Sequence, residues 1–231
     1  MPTPSLPDKL DTPQRRQASA AVDAILAAAL ATAPIGREAC RAALHRAYAG
    51  RGLAAPEVRF VDSPMAAMRE LQSSGPGREV EISFNDALNQ ATAELPRQPG
   101  WATITRLVDA RLGHVAHYAH AVADALEAQV GPTNTRLLYW SGAECLWRSA
   151  EQLARVQVLA TLGALQPAPP GLALGLSALS NCGWINAFEG LCLVSERPLA
   201  LEQHGRPRGP EGLLSRATWR DGLTTEAVHR G

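Results

Sequence analysis

The chain has 231 residues, a formal net charge of zero and a hydrophobic fraction of 46%, and only 5% of its residues are aromatic. Alanine and leucine supply most of the apolar content, which favours helices over an all-β fold, and this length can bury a substantial core. Zero net charge excludes the overall positive field that draws proteins to nucleic acid or to anionic membranes. We therefore expect neither nucleic acid nor a membrane as a partner.

The first 180 residues predict a flexible arm followed by a mainly helical body. Four prolines fall within residues 1–13, a composition typical of an unstructured arm. From residue 14 to residue 180, apolar side chains recur at steps of three and four, the spacing of one helix face. The helices predicted in this way cover residues 14–33, 37–49, 65–72, 101–130, 143–162 and 172–180, the third of them capped by Ser63 and Pro64. Residues 58–61 and 79–84 are expected to be short strands, and residues 85–94 a helical turn or two.

Residues 181–231 predict a small antiparallel β-rich unit packed on this body. Leu191-Cys-Leu-Val194 is an apolar run of strand length, and Arg220-Asp-Gly222 is a hairpin-type turn between two short strand candidates. The expected fold class is therefore α+β, with a mainly helical body and a small C-terminal antiparallel unit.

The compartment is expected to be the cytoplasm. The first residues lack the basic region and apolar core of a signal peptide. The longest stretch of low charge, residues 18–35, is alanine-rich, contains Asp23 and is too weakly apolar to span a bilayer. Four cysteines are too few and too scattered to build a disulfide framework.

Several motifs that bind cofactors are missing from the sequence. It contains no P-loop pattern, and Lys9 is its only lysine, so no lysine is placed to bind a nucleotide phosphate. Gly171 and Gly175 do not complete a dinucleotide pattern, no CxxC pair suggests structural zinc, and no GxSxG nucleophile motif occurs. We expect neither a cofactor nor a metal.

The helix predicted over residues 101–130 carries His114, His117 and His120 at three-residue intervals. Two neighbours in this run can share a metal ion, but the three together spread over about 120° of the helix surface. Asp124 follows His120 by four residues, a spacing at which a carboxylate can orient the imidazole ring. The alternative is a polar helix face that is solvated or packs against another polar surface. His117 and Asp124 are candidate catalytic residues under the first interpretation.

Glu196 and Arg197 directly follow the apolar strand, where side chains emerge from a sheet into a cleft. Such residues can form an ion pair, bind a substrate carboxylate, or supply a base with its electrostatic partner. The structural alternative is a clamp, in which the arginine bridges carbonyl groups at the strand end and Pro198 ends the strand. Both interpretations stay open, and Glu196 and Arg197 complete the set of candidate catalytic residues.

The segments Cys182-Gly-Trp184, Phe188-Glu-Gly-Leu-Cys192 and Val194-Ser-Glu-Arg-Pro198 carry a resemblance to a known family. They resemble an uncharacterised bacterial domain-of-unknown-function family, common in actinomycetes, whose members have a Cys-Gly-Trp segment, a cysteine-containing strand and a terminal Ser-Glu-Arg-Pro. Residues 52–64, 106–130 and 220–229 are similar to further family elements in the same order. The resemblance implies a fold and a compartment, and it carries no activity.

The tail departs from the family pattern. Members usually show Asp-x-x-Gly-Arg-Leu-His after the arginine-proline, whereas this chain keeps Gly205-Arg206 and lacks the leucine-histidine. Divergence of this kind suggests recruitment to a specialised task, such as an actinomycete antibiotic pathway of the aziridine-forming, azinomycin type.

Two hypotheses of function follow from these features. In the first, the chain is a catalytic component that acts on a small amino-acid-derived substrate, alone or with a protein partner subunit. Intramolecular displacement or ring formation needs a base, cations for the departing anion and a shaped pocket. In the alternative, the chain is a non-catalytic interaction or scaffold module, and the same residues are structural.

Overall fold

A computed structural model describes residues 9–75, 77–80, 88, 92–93, 100–130, 146–203 and 214–226 of the chain. Within its helices and strands, the side chains at 114, 116–125, 130, 146–148, 170, 203, 214–215 and 226 lie outside the description. The α+β class is confirmed: helices form the body, and short strands lie mostly towards the C-terminus.

Six α-helices and six strands are present in the described part of the chain. The helices are α1 (Thr12–Ala29), α2 (Arg37–Gly50), α3 (Pro64–Ser74), α4 (Trp101–Val130), α5 (Leu146–Thr161) and α6 (Pro170–Asn181). The strands are β1 (Glu57–Val61), β2 (Ile185–Phe188), β3 (Leu191–Ser195), β4 (Ala200–Gln203), β5 (Leu214–Thr218) and β6 (Thr224–Glu226).

Local sequence signals explain where two of these helices begin. Asp11 accepts a hydrogen bond from the N–H of Gln14 at 2.8 Å, and the Gln14 side chain accepts one from the Asp11 N–H at 3.0 Å. This reciprocal capping starts α1 at Thr12, inside the arm predicted for residues 1–13. The predicted cap of α3 is confirmed, since the Ser63 hydroxyl accepts from the N–H of Ala66 at 3.0 Å.

The strands form two three-stranded sheets. In the first, with the order β1-β3-β2, β3 pairs parallel to β1 and antiparallel to β2. In the second, with the order β4-β5-β6, both pairings are antiparallel. The parallel pairing brings the middle of the helical body and the C-terminal signature strand into one sheet. Glu196 therefore follows directly beside the end of β1.

The first sheet separates two apolar cores. Side chains alternate along a strand, so Ile185 and Val194 face a core built with α1, α2, α4, α5 and α6. On the other side, Phe188 and Leu193 pack with α3 and the second sheet, including Trp219. Because β2 and β3 are covered on both faces, the polar groups that follow them in the sequence are also buried.

Several expected elements change in detail. Residues 185–188, which are not among the predicted strands, form β2, and Gly190 at φ +79° makes the tight connection to β3. Residues 79–84 are expected to be a strand, and their described part contains an isolated bridge between Glu79 and Phe188. The predicted turns over 85–94 lie mostly outside the described residues, as do residues 143–145 of the predicted fifth helix.

The predicted hairpin at Arg220-Asp-Gly222 is confirmed between β5 and β6. The N–H of Trp219 bonds to the carbonyl of Leu223 at 2.8 Å, and Asp221 accepts from the Ser63 hydroxyl at 2.5 Å. This turn therefore holds the second sheet against the start of α3. Within the described residues, no helix has the length and apolar character needed to cross a membrane.

Candidate ligand-binding site

The Cys-Gly-Trp segment (residues 182–184) and the Ser-Glu-Arg-Pro segment (residues 195–198) lie directly against each other. The N–H of Ser195 bonds to the carbonyl of Trp184 at 2.8 Å, and the N–H of Trp184 bonds to the Ser195 hydroxyl at 3.2 Å. A Cβ atom at Gly183 would stand only 2.0 Å from the Ser195 carbonyl oxygen. Glycine is required here because the two backbones touch, and the two segments therefore form one structural unit.

Glu196 is buried and held on all sides. Its carboxylate accepts from the N–H of Ile35 at 3.3 Å and from Arg37 Nη2 at 2.9 Å. Its own N–H bonds to the carbonyl of Val61 at 2.7 Å, and its carbonyl accepts from the indole N–H of Trp219 at 3.1 Å. Both carboxylate oxygens already accept hydrogen bonds, so this geometry makes Glu196 an anchor between elements rather than a free base.

The ion-pair partner of Glu196 in the described structure is Arg37, at the start of α2. Arg37 also lies over the ring of Phe60, with its guanidinium carbon 5.2 Å from the ring centroid. Its side chain is 60% exposed while that of Glu196 is 6% exposed. The pair is thus screened by solvent on the arginine side only.

We predict that Glu196 and Arg37 are coupled in folding. Single Glu196→Gln and Arg37→Gln substitutions and their combination, compared by urea unfolding, should give a coupling free energy of about 1 kcal/mol, a value already reduced because Arg37 is exposed. The pair of Arg59 with Glu57, in which both side chains are exposed, is the control and should give a smaller coupling. Strict additivity of Glu196→Gln and Arg37→Gln would contradict the pairing.

Arg197 turns in the opposite direction, towards the end of α6. Its Nη2 donates to the carbonyl of Leu179 at 2.5 Å, and its Nε donates to the carbonyl of Cys182 at 3.3 Å. These are C-terminal carbonyl groups of a helix, which a guanidinium satisfies well. Nη1 makes no hydrogen bond to the described residues. Burial lowers the pKa of Arg197, because neutral carbonyls compensate its charge less well than water does.

The two segments border a cavity beside α1 and α6. Its walls include Gly183, Trp184, Ser195, Arg197, Trp219 and, from α1, Ala28. The free space is about 380 Å³ including open solvent. Within it there is room for about two water molecules. A larger ligand would extend from the cavity into solvent.

One residue of the cavity wall, Trp184, carries a donor atom that is shielded from water and unpaired within the described residues. Trp184 is 6% exposed, and its indole nitrogen has no hydrogen-bond partner among the described residues. Trp219, in the same wall, donates its indole N–H to the Glu196 carbonyl. Buried indole N–H groups usually have an acceptor, so the unpaired indole N–H of Trp184 is unusual.

The four predicted site residues thus differ in their location and in their partners. Glu196 and Arg197 both line the cavity, and Glu196 pairs with Arg37. Arg197 bridges carbonyl groups at the end of α6, as the structural alternative predicts. Its Nη1 makes no hydrogen bond to the described residues. His117 and Asp124 lie on α4, and their side chains fall outside the described part. Their role as catalytic residues stays a prediction.

Three cysteines of the described residues are buried, and one of them, Cys182, lines the cavity. Cys40, Cys182 and Cys192 are buried free thiols, and the interaction of Cys182 with Cys40, together with burial, raises the pKa of Cys182. A raised pKa disfavours the nucleophilic thiolate. In the described part of the chain, no group of three or more His, Cys, Asp or Glu residues is arranged to hold a metal ion.

Sequence reasoning missed four residues of this site: Gly183, Arg37, Trp184 and Trp219. Arg37 is 159 positions away from Glu196, and no local pattern links the two. Trp219 has polar neighbours in the sequence, which is typical of a surface residue, but only 2% of it is exposed. Comparison of the chain with family models, with curated proteins and with solved structures finds no match.

Proposed function

We propose that this chain is a cytoplasmic catalytic component of a bacterial specialised-metabolite pathway, from the family with the Cys-Gly-Trp and Ser-Glu-Arg-Pro segments. Its substrate is a small amino-acid-derived molecule, and the cavity between these segments is the substrate site. The observation that supports this is the cavity itself: both segments border it, and Arg197 lies in its wall with neutral carbonyls as its hydrogen-bond partners among the described residues.

The proposed roles follow from the contacts. Arg197 supplies positive charge to an anionic group of the substrate, as displacement of an anion or ring closure requires. Glu196, with both oxygens engaged, fixes Ile35 and Arg37 beside the cavity and acts as a positioning residue. If His117 and Asp124 take part, they supply the base.

The non-catalytic interaction or scaffold module is the second candidate. The contacts of Arg197 with the end of α6, and of Glu196 with Arg37, favour it, because both side chains hold elements of the fold together. In that case the cavity has no ligand of its own. A binding experiment separates the two candidates.

We predict that a member of a panel of amino acids, hydroxy acids and their N-acyl derivatives binds the protein, as measured by calorimetry. Ala28→Leu places a larger side chain in the cavity wall and should weaken binding at least tenfold. Ala24→Leu, at an exposed position four residues earlier on α1, is the matched control and should bind normally.

Two results would count against the proposed function. No panel member binding to the wild-type protein would favour the scaffold module. Equal binding by the wild type and Ala28→Leu would show that the ligand lies elsewhere. A bound ligand that is then converted to product by the purified chain would establish the catalytic role.

A further inference from the structure

We propose that the free edge of β1 binds an extended, acidic segment of a partner protein, which adds a strand to the first sheet. The segment bonds to the backbone of Val58 and Phe60 and places an acidic side chain beside Arg41. This inference goes beyond the proposed function, which needs only the cavity, and no residue of β1 belongs to the described cavity wall.

The first support is the position of β1 at an edge of the first sheet. In the order β1-β3-β2, the described structure gives β1 a single neighbour, β3. The opposite edge of the sheet differs. There the N–H of Val80 bonds to the carbonyl of Ala187 at 3.0 Å, and the carbonyl of Arg78 accepts from Glu189 at 2.8 Å. A further segment thus covers β2, whereas no described segment covers the edge of β1.

The second support is the set of backbone groups that face this edge. The carbonyl of Val61 accepts from the N–H of Glu196 at 2.7 Å, so Val61 directs its backbone groups to β3. A parallel ladder uses alternate residues of a strand, so Val58 and Phe60 direct theirs to the opposite side. In the described part of the chain, these groups have no backbone partner. β1 also contains no proline, lysine or bulge, which are features that block strand addition. Its edge is therefore open to a further strand.

The third support is the positive charge beside this edge. The guanidinium carbons of Arg37 and Arg41 lie 5.2 Å and 5.5 Å from the centroid of the Phe60 ring. The same row of α2 continues to His45, whose imidazole N–H donates to the carbonyl of Pro56, just before β1, at 3.2 Å. One row of α2 thus follows β1 from its end to its beginning.

Within this row, Arg41 is the cation available to a partner. Arg37 bonds to Glu196, whereas Arg41 is exposed and makes no salt bridge to a described residue. Side chains opposite each other on neighbouring strands have Cβ atoms about 5 Å apart. A glutamate placed opposite Phe60 therefore comes within reach of the guanidinium that lies over this ring. An acidic side chain is the one that complements this position.

Charge also distinguishes a partner segment from a second copy of β1. Two antiparallel β1 edges that use all the open groups of Val58 and Phe60 would place Arg59 directly opposite its counterpart. Such a pair would also bring Arg37 and Arg41 of both copies to the same side of the sheet. Like charges opposite each other are destabilising, so the edge favours an acidic segment over a second copy.

The first measurement is amide hydrogen exchange in the purified full chain. The amides of Arg59 and Val61 should exchange at least about a hundredfold more slowly than those of Val58 and Phe60. Equal protection of all four would show that the edge is already covered, and it would overturn the proposal. A dimer in analytical ultracentrifugation that becomes a monomer in Val58→Pro would assign the edge to a second copy, which also overturns the proposal.

The second measurement adds a peptide to the ¹⁵N-labelled chain. The probe is the acetylated and amidated peptide Thr-Val-Thr-Glu-Thr-Val-Thr, and the control peptide has lysine in place of glutamate. The glutamate peptide should shift the amide resonances of Val58 and Phe60 saturably, with a Kd of about 1 mM. The lysine peptide should bind about fivefold more weakly, because Arg41 repels it. Equal binding of both peptides, or no shift with the glutamate peptide, overturns the proposal.

Two variants test the edge and the charge separately. Val58→Pro removes an N–H that faces the edge, so it should weaken peptide binding at least about tenfold, read from the Phe60 amide, whereas Val58→Thr should bind normally. Arg41→Gln should bind both peptides equally, and Arg46→Gln, at another exposed arginine of α2, should keep the preference for glutamate. Wild-type binding by Val58→Pro overturns the proposal. If Val58→Pro fails to fold, Arg41→Gln decides it, and a retained preference for glutamate overturns it.

The edge and the cavity are tested separately. Ala28→Leu, which changes the cavity wall, should bind the glutamate peptide as the wild type does. Val58→Pro should bind the panel ligands as the wild type does. Loss of peptide binding in a folded Ala28→Leu variant would overturn the assignment of the peptide to the β1 edge.

Discussion

Replacing Gly183 with alanine should lower the free energy of unfolding by about 3 kcal/mol or more. The new Cβ would lie 2.0 Å from the carbonyl oxygen of Ser195, 3.0 Å from its carbonyl carbon and 3.2 Å from the carbonyl carbon of Glu196. These are backbone atoms, and the hydrogen bond from Ser195 N–H to Trp184 holds them in place. No small side-chain movement can therefore relieve the strain. Urea unfolding would measure the resulting loss in the free energy of unfolding.

The matched control is Gly113→Ala on α4. An added Cβ at Gly113 meets nothing within 4 Å, and alanine is the better helix former, so this variant should gain about 0.5–1 kcal/mol. The same substitution thus has opposite signs at the two positions. A Gly183→Ala variant as stable as the wild type would contradict the close contact between the two signature segments.

Raising the pH above about 9 should destabilise the protein steeply. Interaction with Cys40 and burial raise the pKa of Cys182, and burial and the neighbouring Cys40 raise the pKa of Cys192. In the unfolded chain both thiols ionise near their ordinary value of 9.0, whereas the fold keeps them protonated. Their stabilising contribution is complete below that pH. As pH rises, each thiol costs about 1.4 kcal/mol of stability per pH unit.

The two thiols together predict a loss of about 3 kcal/mol between pH 9 and pH 10.5. Tyr48 adds to the loss above pH 10, because burial raises its pKa. The measurement is urea unfolding at a series of pH values. Cys192→Ala serves as the control, and its slope should be shallower by about 1.4 kcal/mol per pH unit. A flat profile, or an unchanged slope in Cys192→Ala, would contradict this account.

Periodicity and capping signals predict the long elements of this fold well. The apolar repeat over 101–130 predicts α4, and Ser63 with Pro64 marks the beginning of α3. These elements depend on neighbours in sequence. The parallel pairing of β1 with β3 joins residues more than 130 positions apart, and no local pattern encodes it. β2 is missed because four residues between two glycine-containing turns resemble a loop.

The site is predicted in part for the same reason. The position of Glu196 and Arg197 after an apolar strand indicates a place where charged groups meet the interior, and both line the cavity. Their partners come from α2 and α6, so the choice between an ion pair and a helix clamp depends on tertiary contacts. Gly183 has a recognisable signal only in retrospect, as a glycine between a cysteine and a tryptophan that are both buried.

A crystal structure of the protein grown with a panel ligand tests the central claim most directly, namely that the two signature segments together form the substrate-binding cavity. The account predicts that the ligand lies between these segments, with its anionic group beside Arg197. Arg197 should keep its bonds to the carbonyls of Leu179 and Cys182. A ligand bound elsewhere on the protein would contradict it.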